Sequence, residues 1–210
     1  MITVPVFIII FIIFIAWTQY EMKKSSREAQ KVEDAFWARE EAANHAPKQD
    51  ISNLPLLSFD ETVIPKPPEG LIADGDDISS YIKELTALIR EPMVDLSEYT
   101  NTDLKLAYGI GNFKTLSDYD SNYSSFLLLM TNLARAYERR EMHELAVETY
   151  RSALKCGSVK LNDYTGLAEV YLAMDEPSRV SELIEEVENS DNPRKDGVVE
   201  ALRRVLAKYQ

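Results

Sequence analysis

With a single cysteine, Cys156, the 210-residue chain cannot form an intrachain disulfide, and an exported domain would more often carry cysteine pairs. Histidine is nearly as scarce. His45 and His143 are far apart, and although His143 precedes Glu144, the second histidine of an H-E-x-x-H pattern is missing. No metal site is therefore expected, and the histidines read as surface groups. Gly109-Ile-Gly111 has no strand before it and no lysine directly after it, so it reads as a turn rather than a phosphate loop, and no cofactor is implied. Acid pairs such as Asp76-Asp77 and Glu185-Glu186 fit caps or solvated helix faces. Cys156 falls near the end of an apolar-faced helix and reads as a buried small hydrophobe. No catalytic residue emerges, and the chain is not expected to be an enzyme.

Positive charge is lacking beyond residue 48. The net charge of −12 arises wholly after that point, with twelve acidic against three basic side chains over residues 49–103 and seventeen against fourteen over residues 104–210. Nucleic-acid binding wants the opposite sign. The acidic half favours a basic peptide or protein partner, or is simply a solvated surface.

The first twenty residues carry no charged side chain, and residues 4–17 are apolar or proline throughout. Twenty helical residues rise roughly 30 Å, the thickness of a hydrocarbon core, with Trp17 and Tyr20 placed as interfacial anchors. A cleaved signal peptide would want a basic n-region and a small-x-small site, which Trp17-Thr18-Gln19-Tyr20 does not offer. A buried core helix rarely opens a chain. Residues 1–20 are therefore expected to form a transmembrane helix. Lys23, Lys24, Arg27 and Lys31 directly after it predict an outside N-terminus and a cytoplasmic body, hence a single-pass protein of a bacterial cell membrane.

Residues 21–46 continue as a juxtamembrane helix or stalk, with Ala29, Val32, Phe36 and Ala43 at helical spacing; a helix lying on the membrane or docked on a partner stays open. Pro47, Pro55, Pro65, Pro67, Pro68, Gly70 and Gly75 make residues 47–75 a linker. Leu54-Pro-Leu-Leu57 and Val63-Ile64 are candidates to pin it to the domain, even within a groove of its own protein. Residues 76–126 read as helical, with one or two degenerate hairpins as the candidate arrangement: Asp76 and Asp77 cap a helix through Ile78, Ile82, Leu85 and Ile89 that Pro92 ends, and Asp95 with Glu98 resembles a capping box. Gly109 and Gly111 mark a break, and a long helix is expected from Asp120 or Ser121 to about Arg140. Asn122-Tyr-Ser124 matches a glycosylation sequon and reads as chance. No segment alternates like a strand, so the fold class is all-α.

Laying residues 127–160 over 161–194 superposes Met130, Leu133, Ala134 and Tyr137 on Tyr164, Leu167, Ala168 and Tyr171, and Ala146, Tyr150 and Ala153 on Val180, Ile184 and Val187. The offset is constant at 34 residues, and each set lies on one helix face. Stacked antiparallel helix pairs need small residues where helices cross closely and bulky ones to fill the seams. Gly157 ends one helix, Glu176-Pro177 starts another, and Asn192-Pro193 suits the start of a last helix, residues 195–210, whose Val198, Ala201, Leu202 and Val205 form one side of a cap.

These residues resemble the tetratricopeptide repeat family, in a degenerate form of about two units covering residues 127–194. The chain departs from the family pattern at Val180 and Val187, where small residues are preferred, at Met130, and at Ser158 and Asn192, where proline is usual. An ordinary helical bundle is the alternative. The chain as a whole also resembles membrane-anchored proteins of clostridial-type bacteria with degenerate repeats, a likeness that implies no function. The family resemblance implies a tetratricopeptide-like superhelix with a concave groove lined from the first helix of each unit. Its candidate peptide-binding residues are Leu128, Thr131, Asn132, Arg135 and Glu138, then Asn162, Thr165 and Glu169. Arg135 has two readings: a partner for a ligand carboxylate, or a residue that pairs with Glu138 along its helix or faces solvent. The function expected is a membrane-anchored protein-interaction or scaffold module. The alternative is a structural or homo-oligomerising domain whose groove is filled by its own linker.

Overall fold

The computed structural model describes residues 3–73 and 75–209, without the side chains of residues 3–7 and Ile10. Eight α-helices occur among the described residues: α1 (Thr3–Asn44), α2 (Asp77–Leu88), α3 (Asn101–Tyr108), α4 (Ile110–Glu138), α5 (His143–Lys155), α6 (Leu161–Ala173), α7 (Pro177–Glu188) and α8 (Lys195–Tyr209). The described residues contain no strand beyond one isolated bridge, Leu57 to Met93, so the all-α expectation holds.

Among the described residues no helix is long and apolar enough to cross a membrane. This overturns the expected transmembrane helix at residues 1–20, and with it the membrane partner, the orientation and the single-pass localisation. Of the expected segment, side chains are described at Ile8, Ile9 and residues 11–20. Beyond them the same helix continues without a break into Lys23, Lys24 and Arg27. The remainder of the expected segment lies outside the residues whose side chains are described.

The chain divides into two compact units. The first holds residues 1–53 and 97–115. Its folded part is the end of α1 against α3. Arg39 pairs with Asp103 at 2.5 Å, Thr102 donates to Glu40, and Lys105 Nζ donates to Asn44 Oδ1 at 2.9 Å. Thr100 and Asp103 form a reciprocal capping box at the start of α3. The box is thus at Thr100 and not at Asp95 and Glu98. After α1 the chain turns and is strapped down: Gln49 N donates to Tyr108 O and Ile110 N to Ala46 O, while buried Asn112 donates to the carbonyls of Gln49 and Tyr108, each at 2.7 Å. Gly109 has φ +81°, and a Cβ there would meet the Pro47 carbonyl oxygen at 2.1 Å, so only glycine fits. Gly111 sits inside α4, which therefore begins ten residues before the expected start.

The second unit holds residues 54–96 and 116–210. Of the fourteen positions matched by the 34-residue offset, thirteen are buried, and only Tyr164 is half-buried. The match extends to the turns. Met142 N bonds Tyr137 O and Glu176 N bonds Tyr171 O, and in both turns the residue before the donor, Glu141 or Asp175, takes a positive φ. It extends also to α8, where buried Val198, Ala201 and Leu202 stand 34 residues after Tyr164, Leu167 and Ala168. The helix-packed domain is consistent with a helical-repeat arrangement, with α8 occupying the place of a third first helix. The linker seals the start of this stack: Phe59 lies on Phe126 with ring centroids 4.8 Å apart, and the Tyr137 hydroxyl donates to Pro65 O at 2.9 Å. Helix α2 is tied in by Arg140 to Asp76 and Asp77, and these guanidinium contacts, with the cap bond to Ile78 N, lower the Asp76 pKa to about 2.

Candidate functional site

In the second unit a cavity of about 560 Å³ opens between α4, α5 and α6, lined by Arg135, Glu138, Arg139, Tyr150, Asn162, Thr165, Gly166 and Glu169. Helix periodicity explains the lining. Arg135 and Glu138 lie at i and i+3 on α4, with Arg139 directly after its end, and Asn162, Thr165, Gly166 and Glu169 fall at i, i+3, i+4 and i+7 on α6. Glu138 is half-buried, and its pKa is raised by burial first and by the like charge of Glu169 as well; a hydrogen bond from the Tyr150 hydroxyl at 3.1 Å works in the other direction. The Tyr150 pKa is also raised, chiefly by burial, which keeps its phenol protonated as the donor. Arg139 is engaged by Asp77 at 2.8 Å. Arg135 is exposed, and neither it nor Glu169 makes a hydrogen bond or ion pair among the described residues, so an intrahelical pair of Arg135 with Glu138 is not formed as a direct contact, although its charge lowers the Glu138 pKa.

Five of the eight residues singled out from the sequence line this cavity: Arg135, Glu138, Asn162, Thr165 and Glu169. The other three do not. Leu128 is exposed but outside it, Asn132 is half-buried, and Thr131 is buried with its hydroxyl 2.7 Å from Asp163 Oδ1 and 3.0 Å from Leu127 O. Asp163 is itself fully buried, and the Ser158 hydroxyl donates to its second oxygen at 2.5 Å. Thr131 thus joins α4 to the first turn of α6. A buried carboxylate held by two hydroxyls, with the charge of Lys160 nearby, is a structural tie.

Sequence reasoning missed Tyr150, Gly166 and Arg139 as lining residues. Gly166 carried a usable signal, since a glycine in a helix interior costs about 1 kcal/mol against alanine and often marks a close approach. A Cβ at Gly166 would lie 2.4 Å from the Tyr150 hydroxyl and 2.5 Å from its Cζ. The glycine makes the room through which α5 sends a phenol to the cavity.

A smaller cavity of about 320 Å³ is lined by Glu188, Lys195, Asp196, Val199, Glu200 and Arg203. Four of these stand 34 residues after Asn162, Thr165, Gly166 and Glu169. The histidines lie apart from both cavities. His45 is exposed, with Nδ1 2.8 Å from Glu41 O, whereas His143 is half-buried with an unpartnered Nδ1, unlike the surface group expected. Cys156 is buried and its thiol pKa is pushed up to about 11 by that burial, in keeping with a small hydrophobe.

No family model matches the chain, and no curated protein or solved structure is similar enough to it to be counted a match.

Proposed function

We propose that the second unit is a tetratricopeptide-type module that binds an extended peptide segment of another protein, and that it acts by binding rather than catalysis. The observation that carries this reading is the cavity between α4, α5 and α6, where the equivalent positions Arg135 and Glu169 of successive first helices meet and the Arg135 guanidinium has no hydrogen bond or ion pair among the described residues, only the longer-range attraction of Glu138. A planar fork of donors with no internal partner suits a peptide carboxylate. The opposing reading, a groove filled by the chain's own linker, finds no support. Residues 54–65 pack through Phe59 on Phe126 and through Pro65 on Tyr137, and among the described residues none of the linker lines the cavity.

Selection of a displayed random-peptide library on the full chain tests the reading. Enriched peptides are expected to lose about tenfold in affinity, roughly 1.4 kcal/mol, against the Arg135→Glu variant. Peptides that bind wild type and variant equally would place the interaction elsewhere and overturn the groove.

A further inference from the structure

We infer that the ligand of this groove is a peptide of ordered charge, acidic-x-x-basic-x-x-acidic, in an extended three-residue repeat. The inference rests on the binding reading above and adds the ligand's chemistry. The position 135 recurs at 34-residue intervals as Arg135, Glu169 and Arg203, on α4, α6 and α8 in turn. Arg135 and Glu169 line one cavity, and Arg203 lines the next, among residues that repeat the lining of the first. The concave positions therefore present positive, negative and positive charge in succession.

These charges are available. Arg135 and Glu169 have no hydrogen-bond or ion-pair partner among the described residues, and Glu169 instead faces the like charge of Glu138. Arg203 pairs with Glu188 at 2.6 Å, but the two side chains are 65% and 44% exposed, and such a solvent-screened pair exchanges readily for a better one. A cation seated near Glu169 would also relieve its repulsion with Glu138.

Spacing selects the ligand's conformation. A hydrogen bond from Thr131 to Asp163 joins α4 to α6, and α6 packs on α8. Helices in packing contact lie about 8–10 Å apart, and this sets the order of the spacing from one first helix to the next. A polyproline-II strand repeats every three residues with about 3.1 Å of rise each, which returns a side chain to the same face after roughly 9 Å. A β-strand would turn every third side chain away. The order acid, base, acid reads the same in both chain directions, so the match does not depend on the peptide's polarity.

The test uses three fluorescein-labelled heptapeptides with proline and serine at the spacer positions. One carries aspartate, lysine and aspartate at its first, fourth and seventh positions, the second carries lysine, aspartate and lysine, and the third carries serine at all three. Anisotropy titration with the full chain at low salt is expected to favour the first peptide by about tenfold over the second. The triple variant Arg135→Glu, Glu169→Lys, Arg203→Glu is expected to reverse that preference. A misfolded variant would lose both peptides instead of exchanging them, and its helicity is checked by circular dichroism. Equal binding of the charged peptides by the wild type, weakened for both by Arg135→Glu alone, would overturn the charge order while leaving the groove. A preference unchanged in the triple variant would overturn it too. Binding of none of the peptides, when library-selected peptides do bind the groove, would sink the charge order alone; failure of both would sink the groove as well.

Discussion

In the first repeat the aromatic Tyr150 reaches past its helix to a glycine, Gly166, in the next; 34 residues on, the same two positions hold Ile184 and Glu200. The two repeats bury equivalent stripes, yet one seam is built from a long side chain against none and the other from a shorter apolar residue and a position that carries a side chain. A similar contrast separates Tyr137 and Tyr171. Both rings are fully buried, but the Tyr137 hydroxyl donates to the Pro65 carbonyl, whereas the Tyr171 hydroxyl accepts from Arg151 and Arg179, with the Arg179 guanidinium 4.1 Å from the ring centre. The repeat unit thus fixes where volume is buried, and the ends of the side chains are free to serve different neighbours.

Gly166→Ala strikes that difference hardest. Helix propensity alone would make the change stabilising by about 1 kcal/mol. The clash with the Tyr150 ring end wins, because the ring is buried and must rotate away, giving up its bond to Glu138 as well. A net loss of about 2–3 kcal/mol is expected in urea unfolding. Combining it with Tyr150→Leu, which shortens the side chain towards the Ile184 arrangement, should cost clearly less than the two single changes added together. Strict additivity would mean that the seam does not work as described.

Tyr137→Phe and Tyr171→Phe probe the second contrast at a smaller scale. Removing the Tyr137 hydroxyl leaves the buried carbonyl of Pro65 without that donor, for a loss of about 1–2 kcal/mol. Removing the Tyr171 hydroxyl only frees two arginines that keep Glu186 and Glu176, so a loss under about 1 kcal/mol is expected. Equal losses would remove the distinction between the two tyrosines.

The buried seams were legible in the sequence because helical periodicity is local. A stripe at i, i+3, i+4 and i+7 fixes which positions are buried, and the remaining face of each first helix follows. What escaped depended on contacts distant in sequence. Thr131 stands on the concave side by periodicity, but a buried carboxylate 32 residues on claims its hydroxyl. Tyr150 reads as core filling, and only the missing Cβ of Gly166 lets it reach the cavity. The early start of α4 was hidden by Gly109-Ile-Gly111: one glycine holds a left-handed turn against Pro47 and the other lies in the helix, a difference no local rule predicts. At the N-terminus, apolar composition suggested a span, and no helix among the described residues is long and apolar enough to be one.

The smallest expected effect separates the repeats by charge. Glu138 carries a raised pKa, chiefly from burial, whereas the position 34 residues later is Leu172, which does not titrate. A carboxyl whose folded pKa lies above its unfolded value binds protons more tightly in the folded chain. Its ionisation therefore costs stability as pH rises from the ordinary glutamate value, about 4.3, through the raised one. Glu138→Gln keeps an acceptor for Tyr150 and removes the titration, so it should stabilise the chain at pH 7 by under about 1 kcal/mol. The difference from wild type should shrink as pH falls towards 4. Asp76 acts in the opposite sense and in both proteins alike, its contribution intact above its unfolded value of about 3.9 and lost as pH falls through about 2. Urea midpoints of both proteins between pH 4 and 7 check this; a difference that does not vary with pH would remove Glu138 as the charge that distinguishes the first repeat.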